Sequence, residues 1–106
     1  MTFTPVEIAQ RCRDVLEDYY GTRFRGLIVY GSLARNQATL ESDIDLLVLL
    51  NVPFDYFREL RRIVDLLYPV QLESEQLISA KPAPIEEFEQ GQLRLYRNAR
   101  KAGIAV

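Results

Sequence analysis

Histidine is absent from this 106-residue chain, and cysteine occurs once, at Cys12. Those two shortages remove a tetrahedral zinc site and a histidine general base from consideration. Any catalysis must therefore run on carboxylates and a metal ion. A lone cysteine makes no internal disulfide, and no apolar N-terminal run with a basic flank suggests a signal peptide, so a cytoplasmic location is expected. No apolar stretch approaches the ~20 residues that cross a bilayer, and no membrane role is expected. Positive charge is not in excess either. Thirteen Lys and Arg face fifteen Asp and Glu, for a net charge of −2, which argues against a domain whose main task is gripping nucleic acid by its phosphates.

What remains is ordinary globular composition, 48% hydrophobic and 26% charged, enough for one packed core but not two. Residues 1–106 are read as a single domain. Thr4, Pro5 and Glu7 spell a helix start with a capping box and proline at the first turn. Ile8, Cys12, Val15, Leu16 and Tyr19 then recur at helical spacing up to Gly21, predicting a helix over about 5–20 with Cys12 in the core. Phe24 to Tyr30 reads as a strand ending at Gly31. Ser32 to Gln37 reads as a short helix and residues 38–42 as a turn. Asp43 to Leu50 is a second strand, apolar enough to be buried on both faces.

From Phe54 to Tyr68 the chain has helical periodicity, with Phe57, Leu60, Val64 and Leu67 as the packing stripe. Pro69 is expected to break this helix, and Val70 to Glu73 to form a third strand with Gln71 and Glu73 on one face. Residues 81–84 read as a connector, 85–100 as a last helix, and 104–106 as a short apolar tail. The six tyrosines are read mostly as packing aromatics. The fold class predicted is α/β (α+β), a small mixed sheet with helices packed on it.

Two carboxylates two residues apart on a strand, Asp43 and Asp45, project to the same side roughly 7 Å apart. Such a pair attracts a hard divalent cation, which takes oxygen ligands and keeps waters or phosphate oxygens besides. Gly31-Ser32 follows the preceding strand, where a glycine admits close approach of a ligand to the backbone and exposed amides can bind phosphate. Either motif alone is commonplace. Together, with ten residues between Ser32 and Asp43, they are not: with each fixed residue at roughly 7% usage, a chain of this size meets the pattern by chance on the order of a few times in a thousand.

The sequence from Gly31-Ser32-Leu33-Ala34-Arg35 to Ser42-Asp43-Ile44-Asp45-Leu46-Leu47-Val48 resembles the minimal nucleotidyltransferases of the DNA polymerase beta superfamily, over roughly residues 24 to 73. The resemblance implies the nucleotidyltransferase fold and a nucleoside triphosphate substrate, with Ser32 touching the triphosphate. Gly31 is read as the turn that admits the nucleotide, and Arg35 either as a phosphate contact or as a solvated helical arginine. It also implies Asp43 and Asp45 as ligands of two Mg2+ ions about 4 Å apart, and an in-line displacement at the α-phosphate. A third carboxylate belongs on the third strand, where this chain has Gln71. Glu73, two residues on, is read as its replacement in metal binding and as the base. Asn36 stands where relatives often have glycine, a tolerable change at strained backbone angles.

Free-standing domains this short resemble the antitoxin half of toxin–antitoxin pairs, whose partner is an all-helical HEPN toxin. On that resemblance the expected reaction is transfer of AMP from ATP to a hydroxyl of the toxin. Two alternatives stay open: a catalytically degenerate module that neutralises its partner by occlusion, and a transferase acting on a small, antibiotic-type acceptor. The basic cluster Arg94, Arg97, Arg100 and Lys101 reads as a solvated helix face, with binding of a partner or acceptor as the alternative. Nucleotide preference, acceptor and homo-oligomerisation are left open.

Overall fold

Helix α1, Pro5–Tyr20, begins as its sequence dictates. The Thr4 hydroxyl accepts from the Glu7 amide at 3.2 Å, and a Glu7 carboxylate oxygen accepts from the Thr4 amide at 3.0 Å. Each satisfies a helix-end donor that would otherwise lack a partner. The helix ends at Gly21, whose φ of +58° suits glycine. The computed structural model describes residues 3–31, 34 and 42–106. The short helix expected over Ser32 to Gln37, the following turn and Asn36 lie outside them, apart from Ala34 and Ser42 at their margins.

After a 3-10 turn over Gly21–Arg23, strand β1 (Phe24–Tyr30) pairs antiparallel with β2 (Ile44–Leu50). Helix α2 (Tyr56–Glu73) leads to β3 (Ile78–Pro84), which lies parallel to β2. Helices α3 (Ile85–Gln90) and α4 (Arg94–Ala102) follow, and β4 (Ile104–Ala105) adds antiparallel to the other side of β1. The order across the sheet is β3-β2-β1-β4. This mixed sheet with helices on it is the α+β architecture the sequence predicts.

Two cores lie on opposite faces. Ile8, Cys12 and Leu16 of α1 and Ile63, Leu67 and Val70 of α2 pack on Leu27, Val29, Ile44, Leu46, Val48 and Leu50. On the other face Leu47 and Leu49 meet Ala83, Ile85, Phe88, Tyr96 and Ala99, with Ile28 and Tyr30 at the margin. Strand β2 is thus covered on both sides, which is why its sequence runs apolar without alternation. Tyr20 donates a buried hydrogen bond to Glu59 at 2.8 Å, tying α1 to α2.

Several expectations are corrected. Pro69 does not break α2 but lies within it, and the helix continues through Gln71 to Glu73. Its buried stripe is Glu59, Ile63, Leu67 and Val70, whereas Phe57 and Val64 are 76% and 58% exposed. The third strand lies at Ile78–Pro84, overlapping the expected connector. It tolerates Pro82 and Pro84 because it is an edge strand. The expected last helix is two, divided at Gly91, which takes a left-handed φ of +64°. Tyr20 and Tyr96 are buried and Tyr30 half-buried, but Tyr19, Tyr56 and Tyr68 are exposed.

Candidate functional site

Strand β1 delivers Gly31 to the end of the sheet, and β2 begins beside it. In the antiparallel register Tyr30 faces Asp45, and across the parallel pair Asp45 faces Ser79. Because register partners share a face, Tyr30, Asp45 and Ser79 belong to the face that carries α3 and α4, together with Ile28 and Leu47. Asp45 is half-buried, and Asp43, immediately before β2, is exposed. The Ile44 amide donates to the Leu77 carbonyl at 2.8 Å, fixing the strand start on which both carboxylates stand.

Gly31 is required twice over. Its φ is +78°, a region costly for residues with a Cβ. A Cβ built there would also lie 2.3 Å from Oδ2 of Asp45. The glycine turn and the carboxylate are thus in van der Waals contact, as a site needs that brings backbone amides and a carboxylate to one ligand. The Tyr30 phenol is held above its ordinary range, first by burial, then by the Asp45 charge beside it and by Tyr56.

The remaining expected site residues divide. Ser32 and Arg35 lie outside the described residues. Glu73 is not on a strand: it ends α2 and pairs with Arg11 of α1. That places it on the helical layer over the face opposite Asp45, so its expected convergence with Asp43 and Asp45 is corrected. Gln71 is also on α2. Its side-chain amide donates to the Gln76 carbonyl at 3.0 Å and its oxygen accepts from the Ile78 amide at 2.7 Å, stitching the turn into β3. The strand position beside Asp45 therefore holds Ser79, not a carboxylate. Among the described residues no cluster of three acidic, histidine or cysteine side chains could hold a metal ion.

Asp43 and Asp45 nevertheless offer a donor set suited to a hard cation, all oxygen, one group exposed and one braced against a glycine turn. Sequence reasoning missed Tyr30 and Ser79 as neighbours of Asp45. Only the strand register reveals them, and the register depends on where β3 begins.

Comparison with known proteins shows the family. The family model for the nucleotidyltransferase domain matches residues 9–106. Over 72 residues, covering 64% of this chain and 72% of the relative, the sequence is 39% identical to a protein of Methanocaldococcus jannaschii named "Putative protein adenylyltransferase". The Gly31 turn against the Asp45 strand is therefore set in a chain that belongs to the nucleotidyltransferase domain family.

Proposed function

We propose that this domain transfers AMP from ATP to a hydroxyl group of a partner protein. The observation that carries the reading is the contact between Gly31 and Asp45 at the end of the β1–β2 pair, in a chain of the nucleotidyltransferase family. The name of the M. jannaschii relative favours a protein acceptor. In the reaction, the acceptor oxygen forms a bond to the α-phosphorus as the bond from that phosphorus to the bridging oxygen breaks. Pyrophosphate leaves, and the hydroxyl proton passes to solvent.

Asp43 and Asp45 would hold Mg2+, which when bound supplies positive charge against the triphosphate. The chain's own contribution is placement. The Gly31 turn lets backbone come close to a phosphate, and the strand start holds the two carboxylates beside it. Ser32 is assigned to the triphosphate on the family resemblance, and Arg35 is proposed as a further phosphate contact. Nothing in the arrangement calls on Glu73. A HEPN-type toxin is the acceptor we favour, with the domain acting as antitoxin in the cytoplasm.

A second reading, a nucleotide-binding module that silences its partner by occlusion, is favoured by one observation: among the described residues no third carboxylate joins Asp43 and Asp45. Incubation with α-labelled ATP, Mg2+ and the protein encoded beside this one separates the two. Label carried onto that neighbour, and lost with Asp43→Asn, supports transfer. Tight association without label refutes transfer in favour of occlusion, and neither label nor association removes the proposed partner.

A further inference from the structure

Between the end of β1 and helix α4 lies a cleft of ≈ 470 Å³, with Tyr30 and Gly31 on one side and Leu95, Asn98, Ala99 and Lys101 on the other. We infer that this cleft receives the nucleoside portion of the triphosphate, with Asn98 as its polar contact and Lys101 facing the phosphates that adjoin it. The inference rests on the nucleotidyltransferase reading and names a binding surface on α4, an element outside the Gly-Ser and Asp-x-Asp motifs.

Position is the first argument. Gly31 borders the cleft and also touches Asp45, so a molecule whose phosphates lie at the glycine turn reaches the cleft with its next atoms. Shape is the second. Leu95, Ala99 and Ala102 stand four and three residues apart on one face of α4, and the two alanines leave room that larger side chains would fill. The lining is mainly apolar with a few polar groups, and its volume is in the usual range for small-molecule sites of about 300–1,000 Å³. Tyr30 adds an aromatic ring on which a planar base can stack.

Chemistry is the third argument. The Asn98 carboxamide both donates and accepts, as a base edge or a ribose hydroxyl requires. Lys101 is exposed and makes no ion pair among the described residues. Its charge offsets the carbonyl end of α4, which would otherwise repel an anion. Gly103 holds the wall in place. A Cβ there would lie 2.2 Å from the Ala99 carbonyl oxygen and 2.6 Å from Cγ2 of Ile28, so α4 can pack this closely on β1 only with glycine at its end.

Calorimetric titration of the full chain with MgATP, MgGTP and Mg-tripolyphosphate tests the inference. Ala102→Trp, at an exposed position on the cleft rim, should weaken MgATP about tenfold or more while leaving tripolyphosphate unchanged, because it excludes only the nucleoside. Asn98→Ala should change the ratio of MgATP to MgGTP affinity about fivefold, the worth of one hydrogen bond. Lys101→Ala should weaken all three ligands. Circular dichroism checks that each variant is folded, and the two exposed polar positions keep the test alive if Ala102→Trp is not. Variants that bind MgATP and MgGTP as the parent does, when the parent binds both, overturn this cleft and leave the family reading intact. A parent that takes up neither nucleotide nor tripolyphosphate overturns both.

Discussion

Gly31 and Asp45 are in such close contact that a single methyl group on the glycine would stand 2.3 Å from Oδ2 of the aspartate. Gly31→Ala therefore meets a double obstacle. The left-handed backbone costs roughly 1–2 kcal/mol for a residue with a Cβ, and the carboxylate must move. Since the contact is at the end of the sheet, we expect the fold to survive and binding to suffer. MgATP affinity should fall at least tenfold, equivalent to about 1.4 kcal/mol, with a Tm drop of only several degrees. Calorimetry and thermal unfolding on the same sample decide it, and unchanged affinity would refute a role for this contact.

Glu73 gives the opposite expectation. Its partner is Arg11, and both side chains are substantially exposed, 38% and 43%. Exposed pairs contribute about 0–1 kcal/mol. Glu73→Ala should thus lower stability by less than that and leave transfer within about twofold of the parent, whereas Asp45→Asn, which keeps the shape but removes the charge, should reduce it at least a hundredfold. A loss with Glu73→Ala as large as that with Asp45→Asn would mean that the helix end reaches the site after all.

The contrast between those residues marks how far the sequence could be read. Helix α1, both central strands and the Gly31 and Asp45 placements were legible because each rests on local chemistry: a capping box, an apolar run covered on both faces, a glycine at positive φ. The Glu73 position was not, because it depended on Pro69. Proline inside a helix costs about 3 kcal/mol, so a local reading stops the helix there. Burial of Leu67 and Val70 on either side of the exposed Pro69, at 3% each, favours continuing it instead. Once α2 runs to Glu73, the third strand must start later. It does so at Ile78, through Gln71, whose hydrogen bonds to Gln76 and Ile78 no periodicity announces.

The bond from Tyr20 to Glu59 is a buried polar link between α1 and α2, and it predicts a stability change far from the site. Burial, the hydrogen bond to Glu59 and the Glu59 charge all raise the Tyr20 phenol well above its ordinary range, so it stays protonated and donating. Tyr20→Phe removes the donor and leaves a carboxylate that is only 9% exposed without its partner. The cost should be about 1–3 kcal/mol. Tyr19→Phe, at an exposed neighbour, should stay within about 0.5 kcal/mol. Urea unfolding of the two variants separates them, and equal midpoints would deny the buried bond any structural role.

Cys12 gives a prediction in pH. The side chain is fully buried among Ile8, Ala9 and Leu16, and desolvation raises its thiol from an ordinary 9.0 to about 12, against a smaller lowering by the Arg11 charge. The unfolded chain can release this proton near 9.0 and the folded chain cannot until about 12. Folding thus carries the full benefit of the protonated thiol below pH 9 and loses it as pH rises through that window, by up to about 1.4 kcal/mol per pH unit. Cys12→Ala cannot ionise there, so its urea midpoint should fall less steeply than the parent's between pH 8 and pH 10.5, even though it starts lower because of the smaller side chain. Alkylation gives an independent check: iodoacetamide should modify the native thiol only as fast as the chain opens, and rapid labelling of native protein at pH 8 would mean that α1 does not seal the thiol in the core.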